Sequence, residues 1–318
     1  MAEPVFTQST YPSANGRDTV ACCVWTPADA APRAVVQLSH GMQEYVRRYE
    51  PFARYLCARG YAVGGNDHLG HGGTAASDDD LGFTGVGGGA DAMIADVHTM
   101  TLRLREQFPG LPVILLGHSM GSFIARNVVA DFAGDYDAAI FTGTGGPEMP
   151  TGAGMALARW RMFRCGERHR SNLIAKVAFG NYNRKYDGPV TKNSWISRDE
   201  AVVKAYMADP YCNFSFTARG WYDLFDLLAR VSRKDWAGRL PADMPVLLAS
   251  GTMDPVGNFT RGVKTVHRRL ERAGVRDLIL KFYPEARHEI LNETNRDEVY
   301  ADMAAWLDAR FGKEDSHA

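Results

Sequence analysis

Over the first half of the chain, short apolar runs alternate with longer stretches whose apolar positions recur every three or four residues. Val5 to Ser9 and Thr19 to Trp25 are strand-like and flank a turn-rich segment with Asn15-Gly16. That pattern predicts an antiparallel hairpin at a sheet edge. Ala34 to Leu38 is a short strand ending in Ser39-His40-Gly41, and Tyr61 to Gly64 is the next. Between them, Tyr49, Phe52, Ala53, Leu56 and Cys57 have helical spacing over Arg47 to Arg59. Met93, Val97, Met100, Leu104 and Phe108 predict a helix over 93–108. Val113 to Leu116 reads as a buried strand, Ser122 to Phe132 as a helix and Ala138 to Phe141 as a further strand. Strands alternating with helices of this length form βαβ units, hence an α/β fold with a mostly parallel central sheet and helices on both faces.

The rhythm stops at about Pro147. From there to Trp236 the pattern is helical, as in Met155 to Phe163 and Ala201 to Met207, without convincing strands. It returns at Val246 to Ser250, Val263 to Ala273, Leu278 to Tyr283 and Val299 to Phe311. The expectation is one core domain, residues 1–146 and 237–318, interrupted by a helical cap over 147–236. The polar tail Lys313 to Ala318 is expected to fray.

Composition narrows the function. With 36 Lys+Arg against 37 Asp+Glu the formal charge is -1, which excludes a broadly basic nucleic-acid binder. Cys22, Cys23, Cys57, Cys165 and Cys212 show no CxxC spacing, so reduced thiols are expected rather than a zinc site. Met1 to Thr10 has neither the basic start nor the apolar core of a secretory leader, and no aliphatic run approaches a membrane span. A cytoplasmic location is the expectation.

The chemistry concentrates in Gly117-His118-Ser119-Met120-Gly121, which sits between a strand and a helix. A serine in that turn is thrust out at the carboxyl end of the sheet, above the free N–H groups of the helix N-terminus. Ser119 is therefore the candidate nucleophile rather than a simple helix cap. A serine hydroxyl needs a base, and the base an orienting acid. Of the later histidines, His169 lies in a basic run, His267 within a helix and His317 in the tail. His288 follows the strand Leu278 to Tyr283 on a loop at the sheet's carboxyl edge and is the candidate base. Asp254, on the loop after Val246 to Ser250, is the candidate acid; Glu285 and Glu289 stand too close to the base, and Asp226 lies in the insertion. Acyl transfer also requires two N–H donors for the oxyanion. Met120, after the nucleophile, and Met42, in the loop after Ala34 to Leu38, supply them, with Gly41 letting the backbone approach. His40 is expected to order that loop by hydrogen bonds. The loop Asp67-His68-Leu69-Gly70-His71-Gly72 reads as glycine-rich with satisfied histidines, without a metal. No Walker or dinucleotide motif is present, so no cofactor is expected.

These stretches together resemble the α/β-hydrolase superfamily, and within it the monoacylglycerol lipase and lysophospholipase-like (serine aminopeptidase-like) group. His40-Gly41-Met42-Gln43-Glu44 with Arg48-Tyr49 is similar to the group's H-G-x-x-E-x-x-x-R-Y, Asp67 to Gly72 to its D-x-x-G-H-G, and Gly117 to Gly121 to its G-H-S-M-G elbow. Gly251 to Asp254 and Ala286 to Glu289 look like its acid and base loops, and the likeness spans about residues 15 to 312. Gln43, Tyr45 and Thr74 depart from the group at the pocket rim. The resemblance implies an α/β-hydrolase fold, a triad of Ser119, Asp254 and His288, and oxyanion donors at Met42 and Met120. It implies a serine hydrolase that cleaves carboxylic esters of acyl chains through an acyl-enzyme, its substrate a small acyl ester or lipid. Contact with a membrane would be peripheral, through the cap. Thioesterase or peptidase activity on the same scaffold is the nearer alternative, and a non-catalytic ligand-binding protein the more distant one. Epoxide hydrolase and dehalogenase chemistry would require Asp at position 119.

Within the cap, Trp160, Met162, Phe163, Leu173 and Phe179 are expected to offer apolar surface to an acyl chain. The basic run Arg161, Arg164, Arg168, His169 and Arg170 is expected to be a solvated face or a contact for anionic groups.

Overall fold

A computed structural model describes residues 2–180, 182–186 and 191–312. The tail Lys313 to Ala318, with His317, lies outside the described residues. Eight strands form one sheet in the order β1-β2-β4-β3-β5-β6-β7-β8. The predicted hairpin is β1 (Val5–Pro12) and β2 (Thr19–Thr26), antiparallel at the edge. β2 also runs antiparallel to β4 (Tyr61–Asn66). The remaining strands, β3 (Ala34–Ser39), β5 (Val113–His118), β6 (Ala138–Thr142), β7 (Val246–Gly251) and β8 (Leu278–Tyr283), pair in parallel, β3 also with β4.

The near-continuous apolar strands arise because both faces are covered. On β5, Val113 and Leu115 point into one core and Ile114 and Leu116 into the other, the two-residue period of a strand. The first core is closed by α2 (Gly89–Gln107), α3 (Met120–Asp131) and α8 (Arg261–Arg272), through Met93, Phe123 and Val263. The second is closed by α1 (Glu50–Cys57) and α9 (Arg296–Phe311), through Phe52 and Trp306. The helix expected over 47–59 begins as a 3-10 turn, Val46–Tyr49, before α1. The helix after Ser119 starts two residues earlier than its apolar spacing indicates, at Met120.

Among the described residues, four α-helices lie between β6 and β7: α4 (Thr151–Cys165), α5 (Asn172–Phe179), α6 (Glu200–Ala208) and α7 (Ala218–Ser232). α7 is capped by Thr217, whose side chain accepts from the Gly220 N–H. Its buried face, Trp221, Leu228 and Val231, is a helical stripe. α3 holds it in place. Asn127 Nδ2 donates to the Leu227 carbonyl at 3.2 Å, and Arg126 Nη2 to that of Val231 at 2.9 Å. Arg126 also donates to the Gly145 carbonyl and receives the Trp236 Nε1–H on its own backbone carbonyl, so both ends of the insertion meet at one residue.

The basic run of the insertion has a structural use that its spacing does not reveal. Arg168 pairs with Asp80 at 2.8 Å, and Arg170 donates to the carbonyls of Leu81 and Ser215. Arg161 donates to Ser171 Oγ. These cations tie the insertion to itself and to the loop ahead of α2; Arg161 and Arg170 are spent on neutral protein groups, while Arg168 stays exposed and its anionic partner is the protein's own Asp80.

Candidate active site

Parallel order leaves the loops after β3 and β5 diverging at the carboxyl edge, the crevice where open α/β sheets bind ligands. β5 ends at His118, and Ser119 turns with φ 53° and ψ -121°, a strained conformation for a residue with a Cβ. Its N–H is committed to the Thr142 carbonyl, and its carbonyl receives Ser122 Oγ at 2.6 Å. The Ser119 side chain makes no cap bond to α3; it opens instead into an apolar cavity together with Met42, Met120 and His288. Gly121 is required here, because a Cβ would lie 2.0 Å from the Ser39 carbonyl oxygen.

His288 and Asp254 are buried at 3% and 0% exposure, and His288 Nδ1 lies 3.0 Å from Asp254 Oδ1. The same oxygen accepts the Val256 N–H at 2.8 Å, which fixes the carboxylate. Burial alone would lower the His288 pKa, but the Asp254 charge and hydrogen bond, helped by Glu289 and Glu44, outweigh it and hold it above the ordinary imidazole value. The neighbouring His118, with its ring centre 4.6 Å from that of His288, is pushed down to about 3 by burial and by His288. It bonds Thr142 Oγ1 instead and stays neutral.

The loop after β3 approaches the elbow through Gly41, where a Cβ would lie 3.1 Å from that of Ser119. His40 orders this loop as expected. Its Nδ1 bonds the Gly41 carbonyl at 2.8 Å and its Nε2 accepts the His68 N–H at 2.9 Å. Turning the Gly41 carbonyl toward His40 turns the other side of that peptide, the Met42 N–H, away from it. Among the described residues neither the Met42 nor the Met120 N–H has a hydrogen-bond acceptor. In the glycine-rich loop, His68 and His71 each bond through one nitrogen, while His68 Nδ1 and His71 Nε2 have no partner among the described residues. Burial pushes them down to about 3 and about 4, so neither carries a charge at neutral pH.

Arg48 lies between two carboxylates of the cavity wall, Glu44 and Glu289, at 2.9 Å from each. Burial pushes the Glu44 carboxyl up to about 7; at Glu289 the same effect is outweighed by Arg48, which holds it down at about 2. Of the acids set aside above, Glu285 is exposed, and Asp226 pairs with Arg230.

The cavity wall corrects the apolar assignments. Phe179 lines it, but Trp160, Phe163 and Leu173 face outward, Phe163 being 86% exposed, and Met162 is absent from the lining. The wall comes instead from Trp221, Leu224, Phe225 and Leu228 of α7, with Tyr182, Trp195 and Phe123. Positions 221, 224, 225 and 228 have the i, i+3, i+4, i+7 spacing of one helix face, a signal present in the sequence. The enclosed space is narrow, about 50 Å³, and it adjoins a wider cleft of about 460 Å³ whose lining includes Asn183, Lys192, Asn193 and Asn213. Gln43 lines both and donates to the Phe214 carbonyl, while Tyr45 bonds Asp209 at 2.9 Å. Two of the three departures from the group's pattern thus contact the insertion. The third, Thr74, braces the Asp67 loop.

A strand–serine–helix elbow at the switch point of a mostly parallel sheet, with a buried His–Asp pair beside it, defines a hydrolase of the α/β-hydrolase fold. The structure of a thermostable carboxyl esterase from Bacillus coagulans in complex with glycerol superposes with a TM-score of 0.90 at 30% identity, covering 96% of this chain and 99% of that one. The monoacylglycerol lipase of Mycolicibacterium smegmatis is 30% identical over 286 residues, 89% of this chain and 91% of that protein. The human monoglyceride lipase is 28% identical over 295 residues, 91% and 86% of the two chains. The family described as serine aminopeptidase, S33 matches residues 30–295, and the chain belongs to it.

Proposed function

We propose that the protein is a serine hydrolase that cleaves carboxylic esters of acyl chains through an acyl-enzyme, with Ser119 as nucleophile, His288 as base and Asp254 as its orienting acid. The observation that carries this reading is the meeting of the Ser119 side chain, the Asp254-bonded His288 and the unbonded N–H groups of Met42 and Met120 around one apolar cavity. Ser119 Oγ attacks the carbonyl while His288 Nε2 takes its proton. The two N–H groups receive the oxyanion, and His288 returns the proton to the leaving alcohol. Water repeats the sequence on the acyl-enzyme. Asp254 keeps the His288 proton on Nδ1 and stabilises the imidazolium that forms.

Cleavage of peptides bearing a free amino terminus is the weaker reading. It needs an unpaired negative charge near the nucleophile, and the two carboxylates of the cavity wall are both engaged by Arg48. The apolar inner chamber suits the acyl chain, and the polar cleft beside it suits the alcohol. We read residues 147–236 as a cap that selects the substrate. With about 0.8 kcal/mol per buried CH₂, kcat/KM is expected to rise by up to about fourfold per methylene across a series of p-nitrophenyl esters, then fall once the chamber is full. Leu224→Asn and Phe179→Asn are expected to move that optimum and to leave p-nitrophenyl acetate turnover within about twofold, since acetate carries no methylene to bury. Equal losses on acetate and long-chain esters would sink the assignment of this wall to substrate selection.

The outward residues Trp160, Phe163, Leu173 and Val177, flanked by Arg159, Arg164 and Lys176, give the cap a face suited to peripheral contact with a lipid layer. Phe163→Asp combined with Val177→Asp is expected to weaken co-sedimentation with phospholipid vesicles and to spare acetate turnover. Unchanged sedimentation would refute the contact.

A further inference from the structure

The segment Ser194 to Arg198, in the insertion, runs alongside the loop that carries His288. The His288 N–H donates to the Trp195 carbonyl at 3.3 Å and the Glu289 N–H to that of Ile196 at 2.8 Å. Arg287 Nη1 donates to the carbonyls of Ser194 and Ser197, and Ser197 Oγ to that of Asn292 at 2.9 Å. The Trp195 ring centre lies 4.9 Å from that of His288.

One carboxylate joins the two segments. Glu293 has a fully buried side chain. Its Oε1 accepts the backbone N–H of Arg287 at 2.7 Å and that of Arg198 at 3.1 Å. Its Oε2 accepts Arg198 Nε at 2.9 Å and the Thr294 N–H at 3.0 Å. Arg198 Nη2 goes on to Asn295 Oδ1 at 2.7 Å. An ionised carboxylate offers about four lone-pair sites, and here all are taken, two on each oxygen. The residue before the base and a residue of the insertion are thus held by the same oxygen.

We propose that Glu293 is a positioning residue for His288, and that it makes the seating of Ser194 to Arg198 and the orientation of the base a single event. When this segment leaves, His288 and Glu289 lose the acceptors of their N–H groups, Glu293 loses two of its four donors, and the imidazole is no longer held against Asp254. The insertion then has two separable parts: the α7 face, which contacts the acyl chain, and this clamp, which acts on every substrate alike. The inference rests on the reading of His288 as the base.

Glu293→Gln separates the possibilities, because the amide places an NH₂ against donors that need an acceptor. On p-nitrophenyl acetate, kcat per site titrated with a fluorophosphonate is expected to fall about 10- to 100-fold, as a misplaced catalytic group costs, with KM within about twofold. The loss on a long-chain ester is expected to be the same factor. The acid limb of the kcat/KM profile is expected to move to lower pH as His288 loosens from Asp254. Arg198→Ala, which removes only the side-chain link from the insertion, is expected to act in the same direction more weakly, and Arg198→Lys to restore part of the loss. A purely structural role would lower the melting temperature and the number of titratable sites while leaving kcat per site and the pH limb unchanged, and that result overturns the proposal. If Glu293→Gln does not fold, Arg198→Ala decides by the same readouts. Run in parallel, His288→Ala keeps the two readings apart. Should it retain turnover, the base assignment falls; should it be inactive while both clamp variants match the parent, only the positioning role falls.

Discussion

Ser119→Ala is expected to abolish ester turnover, lowering kcat on the order of 10⁶-fold, the scale found when a triad nucleophile is removed from a serine hydrolase. The fold is expected to survive. Among the described residues the Ser119 hydroxyl makes no hydrogen bond that the structure depends on, since it makes no cap bond to α3 and its backbone carries the contacts to Thr142 and Ser122. Alanine also releases nothing at φ 53°, so the strain of the elbow is unchanged. Circular dichroism and the melting temperature report the fold, and fluorophosphonate labelling reports the nucleophile. A variant that keeps more than a few per cent of the parent rate, or that still takes up the label, moves the nucleophile elsewhere. A binding protein without turnover would show neither labelling nor a rate to lose.

His288→Ala is expected to be almost as damaging, and to add little when combined with Ser119→Ala, because the two act as one unit. Asp254→Asn is expected to cost on the order of 10⁴-fold, since an amide favours the wrong tautomer of the base. The pH dependence gives the sign independently. A base must be neutral to accept a proton, so kcat/KM is expected to rise with pH as His288 loses its own, with the acid limb above the ordinary imidazole value because Asp254 favours the protonated ring. In the residual activity of Asp254→Asn that support is gone while burial remains, and the limb is expected to move to lower pH. A limb that stays in place, or an Asp254→Asn variant with full activity, would reassign the acid.

Strand and helix periodicity was enough to place β1 to β8 in the sequence, because the central strands are covered on both faces and read as short apolar runs between turn residues, while the exposed, polar edge strand β1 is marked by its hairpin turn to β2. The elbow was legible for the same reason: Gly117 to Gly121 falls between a strand and a helix that can be read independently. His288 and Asp254 were reachable because each follows a recognisable strand. The insertion was harder. Its helices could be found, but which face of a helix looks inward depends on what it packs against, and apolar spacing does not say. Trp160 and Phe163 have the composition of a pocket wall and stand in solvent, while Trp221 and Leu224 line the cavity. The ties of Arg168 and Arg170 connect residues far apart in the chain, and nothing local in a basic run distinguishes them from solvated charges. Glu293 was invisible because two of its four donors come from Arg198, 95 positions away, and the other two are backbone N–H groups, of Arg287 and Thr294, which no side-chain pattern marks.

The position of the insertion also shapes how the chain reaches this structure. β6 ends at Thr142 and β7 begins at Val246, and the two are neighbours in the sheet. During synthesis the entire insertion therefore emerges while β6 is still a bare edge, with a row of unpaired N–H and C=O groups open to any extended chain. Closing the roughly hundred-residue gap costs about 2 kcal/mol more than closing one of ten, which delays that pairing. The contacts of α7 on α3 hold the two ends of the gap together, since Arg126 touches both Gly145 and Val231. The helix that walls the cavity is thus also the one that spans the gap between two neighbouring strands, and Asp254, carried beyond β7, can meet Ser119 only once that gap is closed.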